Sequence, residues 1–119
     1  MSPLEIEFVP DAREATATLK LSGRAGYREA PKLRQALFDA IAVSAGKNLV
    51  VELALLEKVD TAVMAVLVEA CIATRGGDPA IFLMCPNRSV RKVFELAGLE
   101  EALTRCYSSW EDIAAAAVA

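Results

Sequence analysis

Polar and apolar positions alternate with the period of a strand at the start of the chain. Leu4, Ile6 and Phe8 are apolar and are separated by glutamates, which predicts a half-buried strand. The sequence PDAR at residues 10–13 predicts a turn. A second strand is predicted over residues 16–21, and it is expected to form a hairpin with the first.

The next apolar pattern has the period of a helix. Gly23 and Gly26 close the second strand and allow a tight entry into this helix, which is predicted to start at about Arg28 and to end at Gly46. Pro31 fits only in the first turn, where its missing N–H is not needed. The helical stripe consists of Ala30, Leu33, Leu37, Phe38 and Ile41.

A buried strand and a buried helix occupy the middle of the chain, from residue 49 to residue 72. The run LVVEL at residues 49–53 has the pattern of a strand covered on both faces, and a short charged loop is predicted to follow it. Asp60 is a good N-cap for the helix, and Gly76 and Gly77 are expected to mark its C-terminal end. The hydroxyl of Thr61 is therefore expected at the positively polarised end of a helix, where a phosphate can be carried. The stripe of this helix consists of Met64, Leu67, Val68, Cys71 and Ile72.

The last third of the chain continues the alternation of strands and helices. A covered strand is predicted over residues 80–84, a helix over residues 89–97 and a short strand around residues 103–106. Ser108 or Ser109 is expected to cap a final helix.

The order β-β-α-β-α-β-α-β-α predicts an α/β fold for residues 1–119 as a single domain. We expect a mixed, mostly parallel sheet of four to five strands, about four helices, and an alanine-rich C-terminal tail over residues 113–119.

Composition narrows the classes of function. The apolar fraction is 55%, but no apolar run approaches the ~20 residues of a membrane span, and the acidic N-terminus does not fit a secretory signal. A soluble cytoplasmic protein without membrane insertion is therefore expected. The net charge of −3 comes from interspersed acids and bases, which argues against nucleic-acid binding. The chain has no histidine, and its three cysteines are odd in number and lack Cys-x-x-Cys spacing. We therefore expect no metal, no cofactor and no catalytic residues.

Three segments resemble the STAS family of anti-sigma-factor antagonists and cytoplasmic domains of sulfate transporters. They are LSG at residues 21–23, VVELALLEKVDTA at residues 50–62 and VRKVFELAGL at residues 90–99. The middle segment is similar to the family's strand-loop-helix motif, in which a Ser or Thr after an aspartate is phosphorylated by a partner kinase. The resemblance implies that Asp60 is this aspartate and that Thr61 is the acceptor.

Three positions depart from the family pattern. Glu52 stands where the family usually has aspartate, and Gly26 stands where an acidic residue is often found. Val63 replaces a glycine, and its β-branched side chain is expected to narrow the approach of a partner to the helix N-terminus. The partner-binding surface implied by the resemblance consists of Asp60, Thr61, Ala62, Val63, Glu52, Glu57 and Gly26.

The resemblance implies a non-enzymatic module that switches partners. The implied partner is an anti-sigma factor or a related serine/threonine kinase, with a phosphatase to reverse the modification of Thr61. Glu52, Glu57 and Asp60, close to Thr61 in sequence, are expected to add to the repulsion of the partner.

Several alternatives stay open on the sequence alone. Asp60 and Thr61 can serve only as a helix cap, and the chain can be a STAS subunit that binds the ATPase of an ABC-type lipid transporter without phosphorylation. The basic cluster Arg88, Arg91 and Lys92 fits a solvated face, an acidic partner or an anion. Neither the oligomeric state nor a nucleotide ligand is indicated by any residue.

Overall fold

Five strands form one mixed sheet in the computed structural model, which describes residues 2–117 apart from the side chain of Ser89. The strands lie side by side in chain order, β1 antiparallel to β2 and the remaining neighbours parallel. The prediction of a mixed, mostly parallel sheet is confirmed. The strands are β1 (Glu5–Arg13), β2 (Thr16–Ala25), β3 (Asn48–Val59), β4 (Ala80–Met84) and β5 (Cys106–Tyr107).

Five helices are described, against the expectation of about four. They are α1 (Ala30–Val43), α2 (Thr61–Ala73), α3 (Arg88–Leu96), α4 (Glu100–Leu103) and α5 (Trp110–Ala117). The additional helix is the single turn α4, and the strand expected around residues 103–106 begins only at Cys106. Ser109 is the residue that caps α5, because its Oγ accepts a hydrogen bond of 3.2 Å from the amide of Asp112. Residues 113–117 of the expected tail belong to α5, and residues 118 and 119 lie outside the described part.

The core has two unequal layers because alternate side chains of β3 point to opposite faces of the sheet. Leu49, Val51 and Leu53 are fully buried in the main cluster, which also contains side chains of α1 to α4. Val50 points the other way into a small cluster closed by Ile113 of α5, with Phe82 and Met84 of β4. Burial on both faces of the sheet thus explains the mainly apolar run at residues 49–53.

The first hairpin turns later than the sequence pattern predicted. The expected turn at residues 10–13 is wrong, because β1 continues to Arg13, which pairs with Thr16. The turn is formed by Glu14 and Ala15 instead. Pro10 is tolerated inside β1 because this strand is at the edge of the sheet and its pairing with β2 is irregular between Val9 and Arg13; edges and bulges are where strands accept proline.

The expected charged loop after β3 is also wrong, because the strand runs on to Val59. Its second half pairs with the second half of β2 through two register irregularities, and Ala25 lies opposite Val59 at the end. These bulges break the alternation of apolar and polar positions that would have marked a strand. As the two strands are parallel, both deliver their following residues to the same edge of the sheet.

Gly23 lies where β2 passes under the N-terminal segment, and this close approach explains why the residue is a glycine. Its φ is +86°, and a Cβ built on it would lie 2.1 Å from the carbonyl oxygen of Pro3. The amide of Arg24 also donates a 2.9 Å hydrogen bond to the carbonyl of Ser2. Only a residue without a side chain therefore allows this crossing.

Gly23→Ala is expected to lower the free energy of unfolding by roughly 2–4 kcal/mol, combining the cost of positive φ with that of overpacking. Gly46→Ala is the matched control, because Gly46 has φ +80° but a Cβ built on it would have no atom within 4 Å. The control is expected to cost only about 1 kcal/mol. Urea unfolding of both variants measures the difference, and equal losses would contradict the role of the crossing.

Candidate functional site

Helix α2 starts directly after β3 and is capped by Asp60. Asp60 has an extended backbone (φ −106°, ψ 179°), and its Oδ1 accepts hydrogen bonds from the amides of Ala62 at 3.0 Å and Val63 at 3.3 Å. The amide of Asp60 in turn donates to the carbonyl of Ala25 at 3.3 Å. The expected N-cap is confirmed, and it joins the start of α2 to the ends of β2 and β3.

Thr61 is the first residue of α2, and its side chain is exposed. Its hydroxyl makes no hydrogen bond to any residue among 2–117. The adjacent cap uses only the Asp60 carboxylate, so the Thr61 oxygen remains available to a second molecule. It lies at the positive end of the helix dipole, where a negatively charged group is stabilised.

The ends of β2 and β3 and the start of α2 meet at Ala25, Val59, Asp60 and Thr61, a place called the corner below. The loop after β2 brings a second carboxylate to this corner. A Cβ built on Gly26 would lie 3.2 Å from Oε2 of Glu29 and 3.7 Å from Oδ2 of Asp60. Both carboxylates therefore lie beside the space that a side chain at position 26 would fill. Glu29 was not among the sequence candidates. The available signal was its position directly before α1, three residues after a glycine that closes β2.

Two candidates of the first turn of α2 point inward. Val63 is fully buried in the main core, and Ala62 is half-buried. The expectation that the Val63 side chain would narrow the approach of a partner is therefore wrong, because this side chain faces away from the surface. Both residues contribute to the corner through their amides, which bind Asp60.

The two glutamates of β3 lie at different distances from the corner. Glu52 pairs in register with Lys20 and Met84, and Val59 at the end of the strand lies seven residues further along. At ~3.3 Å per residue this is roughly 20 Å. Glu57 is closer, but its Oε2 accepts a hydrogen bond of 3.2 Å from the amide of Ser2. The expectation that both would add to repulsion at Thr61 rested on sequence proximity and is wrong for Glu52.

An apolar groove begins at Thr61 and runs along α2. Its volume is about 400 Å³, and α2 and the segment between α3 and α4 form its walls. Glu69 on its rim is paired with Arg34 of α1, with an Nη2–Oε1 distance of 2.6 Å, so the groove presents little free charge. Ile72, predicted as part of the buried stripe, is 44% exposed here. The groove is lined by Thr61, Met64, Ala65, Val68, Glu69, Ile72, Ala97 and Leu99.

The sequence matches one protein family over most of its length. A family model described as Mlab, STAS domain matches residues 8–105, a span that includes the corner and the whole groove. The chain belongs to the STAS family. No curated protein matches the chain.

Solved structures confirm the fold of this STAS domain. An anti-sigma factor antagonist from Mycobacterium paratuberculosis is similar with a TM-score of 0.76 and 20% identity, over 94% of this chain and 93% of the other. The anti-sigma factor antagonist SpoIIAA in its unphosphorylated form has a TM-score of 0.70 and 18% identity, over 98% and 96% of the two chains. The Bacillus cell fate determinant SpoIIAA in its phosphorylated form has a TM-score of 0.65 and 18% identity, over 98% and 100%. The TM-scores show a shared fold, and at identities this low the comparison shows the fold alone.

The three thiols of the STAS domain are buried and lie apart from Thr61 along the chain. Burial raises the pKa of Cys71 to about 11, which fits a small core residue. Cys85 and Cys106 contact each other, and the hydrogen bond between them lowers the pKa of Cys85 and raises that of Cys106. Among residues 2–117, no group of three or more Cys, Asp or Glu side chains is placed to hold a metal ion. No helix in the same range is long and apolar enough to cross a bilayer.

Proposed function

We propose that this STAS domain is a non-enzymatic regulatory module of the anti-sigma-factor-antagonist type. It binds a cytoplasmic protein partner at the N-terminal end of α2 and releases it when Thr61 is phosphorylated. The observation that carries the proposal is the free, exposed hydroxyl of Thr61 at the edge of an apolar groove. A modification there changes the charge of a surface that is otherwise suited to burial against a partner.

A phosphate on Thr61 is expected to leave helix α2 folded but to weaken the binding of the partner. Phosphorylation adds about −1.5 to −2 charges at neutral pH. The first amides and the dipole of α2 favour this charge, so the helix itself is not expected to unfold. A partner seated in the groove would have to bury the phosphate beside the carboxylates of Asp60 and Glu29. Burial of such unpaired negative charge is costly, and the complex is expected to dissociate.

The proposed partner is an anti-sigma factor or a related serine/threonine kinase, with a phosphatase to restore the binding form. The STAS family match supports this assignment, and so does the fold shared with SpoIIAA, which is known in phosphorylated and unphosphorylated forms. The switch requires one modifiable side chain at the interface, and Thr61 meets this requirement.

A second candidate function is favoured by the apolar character of the groove. A STAS subunit that binds the ATPase of an ABC-type transporter would use the same surface without phosphorylation. Permanent interfaces are more hydrophobic than transient ones, and the groove has Ile72 exposed and its one acidic residue paired. The identity of the protein that co-purifies with the chain, a kinase or an ATPase, distinguishes the two functions.

Ala65→Arg is expected to weaken partner binding by at least roughly tenfold, because it fills the groove with a charged side chain. Ala65 is exposed and lines the groove, so this substitution removes no core contact. The control is Ala42→Arg, at another exposed alanine, on α1 and outside the groove. Titration calorimetry with the co-purified partner measures both variants. Equal affinities of Ala65→Arg and the control would show that the groove is not the interface.

A further inference from the structure

A second cavity lies at the carboxyl ends of β4 and β5, and the proposed switch does not use it. Its volume is about 670 Å³, in the usual range for small-molecule sites. Cys85 and Pro86 follow β4, Ser108 follows β5, and α3 forms the opposite wall with Arg88, Arg91, Lys92 and Glu95. The cavity therefore lies outside the carboxyl ends of two neighbouring parallel strands.

The charge of the cavity is opposite to that of the chain. Three of the 13 basic residues line it, although the net charge of the protein is −3. Glu95 is the acidic lining residue, and its Oε1 lies 3.8 Å from Nε of Arg91. Among residues 2–117, no carboxylate forms an ion pair with Arg88 or Lys92, and both side chains are exposed. Two cations therefore face the cavity without a partner.

The position of α3 strengthens the positive potential. The helix has nine residues and begins at Arg88, so its N-terminal end lies at the cavity. The amides of a first helical turn and the helix dipole favour an anion there. At the floor, Cys85 is only 2% exposed. Its pKa is lowered by the hydrogen bond with Cys106 and further by the charge of Arg91.

We infer that this cavity binds the phosphate group of a small, soluble phosphomonoester. Guanidinium groups bind phosphate oxygens in a bidentate manner, and Lys92 adds a point charge. The described lining residues supply cations and a hydroxyl, groups that bind phosphate oxygens, and include no aromatic ring.

The inference is tested by titrating ¹⁵N-labelled protein with inorganic phosphate and with glycerol 3-phosphate at constant ionic strength. Saturable shifts are expected at the amides of Arg88, Arg91, Lys92 and Ser108. The double substitution Arg88→Gln with Lys92→Gln is expected to weaken binding at least roughly tenfold, because it removes both unpaired cations.

The control removes the same number of positive charges from another part of the surface. Lys20→Gln with Arg24→Gln changes two exposed residues of β2 and is expected to leave the affinity unchanged. All four residues are at the surface, and the spectra themselves report whether each variant is folded. Shifts spread over the surface without saturation, or equal weakening by both double variants, would overturn the site. Binding to phosphatidylglycerol vesicles but not to glycerol 3-phosphate would overturn the assignment to a soluble ligand.

Discussion

Thr61→Glu is expected to weaken partner binding by at least roughly tenfold, while Thr61→Ala binds as tightly as the unmodified protein. The glutamate places a negative charge at the mouth of the groove, beside the carboxylates of Asp60 and Glu29. Folding is expected to be preserved, because an acidic residue in the first turn of a helix is favourable. Calorimetric titration of the partner with both variants, and thermal unfolding of each, measure the two effects separately.

A charge placed elsewhere is the control for this result. Thr104→Glu makes the same substitution at an exposed residue after α4, which does not line the groove. Its partner affinity is expected to match that of the unsubstituted protein. If Thr61→Glu and Thr61→Ala bind equally well, the groove can still be the interface, but Thr61 does not control it. That outcome would favour the unphosphorylated transporter subunit.

Phe94→Ala is expected to have the largest effect on stability, with a loss of roughly 3–5 kcal/mol in the free energy of unfolding. Phe94 is fully buried and is the largest of the fully buried side chains described. Its carbonyl also accepts a 3.0 Å hydrogen bond from the amide of Leu99, which lines the groove. A cavity beneath α3 should therefore disturb the partner surface as well as the core.

Leu96→Ala on the same helix is the matched control, because its side chain is 79% exposed. It is expected to change the free energy of unfolding by less than about 0.5 kcal/mol. Urea denaturation of the two variants gives the comparison directly. A loss in Leu96→Ala as large as that in Phe94→Ala would contradict the packing of α3 against the sheet.

The start of α2 could be predicted from the sequence because its determinants are local. An aspartate followed by an apolar stripe of helical period indicates a capped helix, and the two hydrogen bonds to Asp60 confirm it. The stripe could not show that Ile72 is partly exposed. Periodicity defines a face of the helix, but whether neighbouring elements cover that face along its whole length depends on the tertiary structure.

The composition of the corner could be predicted only in part. Glu52 was assigned to it from the family resemblance and from its closeness to Thr61 in sequence, whereas the pairing of β2 with β3 extends the strand to Val59 and separates the two residues. Glu29 was missed because it approaches Asp60 only through the loop that follows β2. Ala97 and Leu99 were missed as groove residues for the same reason. Contacts between segments distant in sequence leave no local pattern in the residues that make them.

The central claim is that Thr61 is a phosphorylation site that controls binding. Intact-mass and phosphosite analysis of the protein purified from its own host tests this most directly. We expect a fraction of the protein to carry a single phosphate on Thr61, and the partner to co-purify only with the unmodified fraction. A phosphate on another residue, or an unmodified protein under every growth condition while still bound to a transporter ATPase, would contradict the claim.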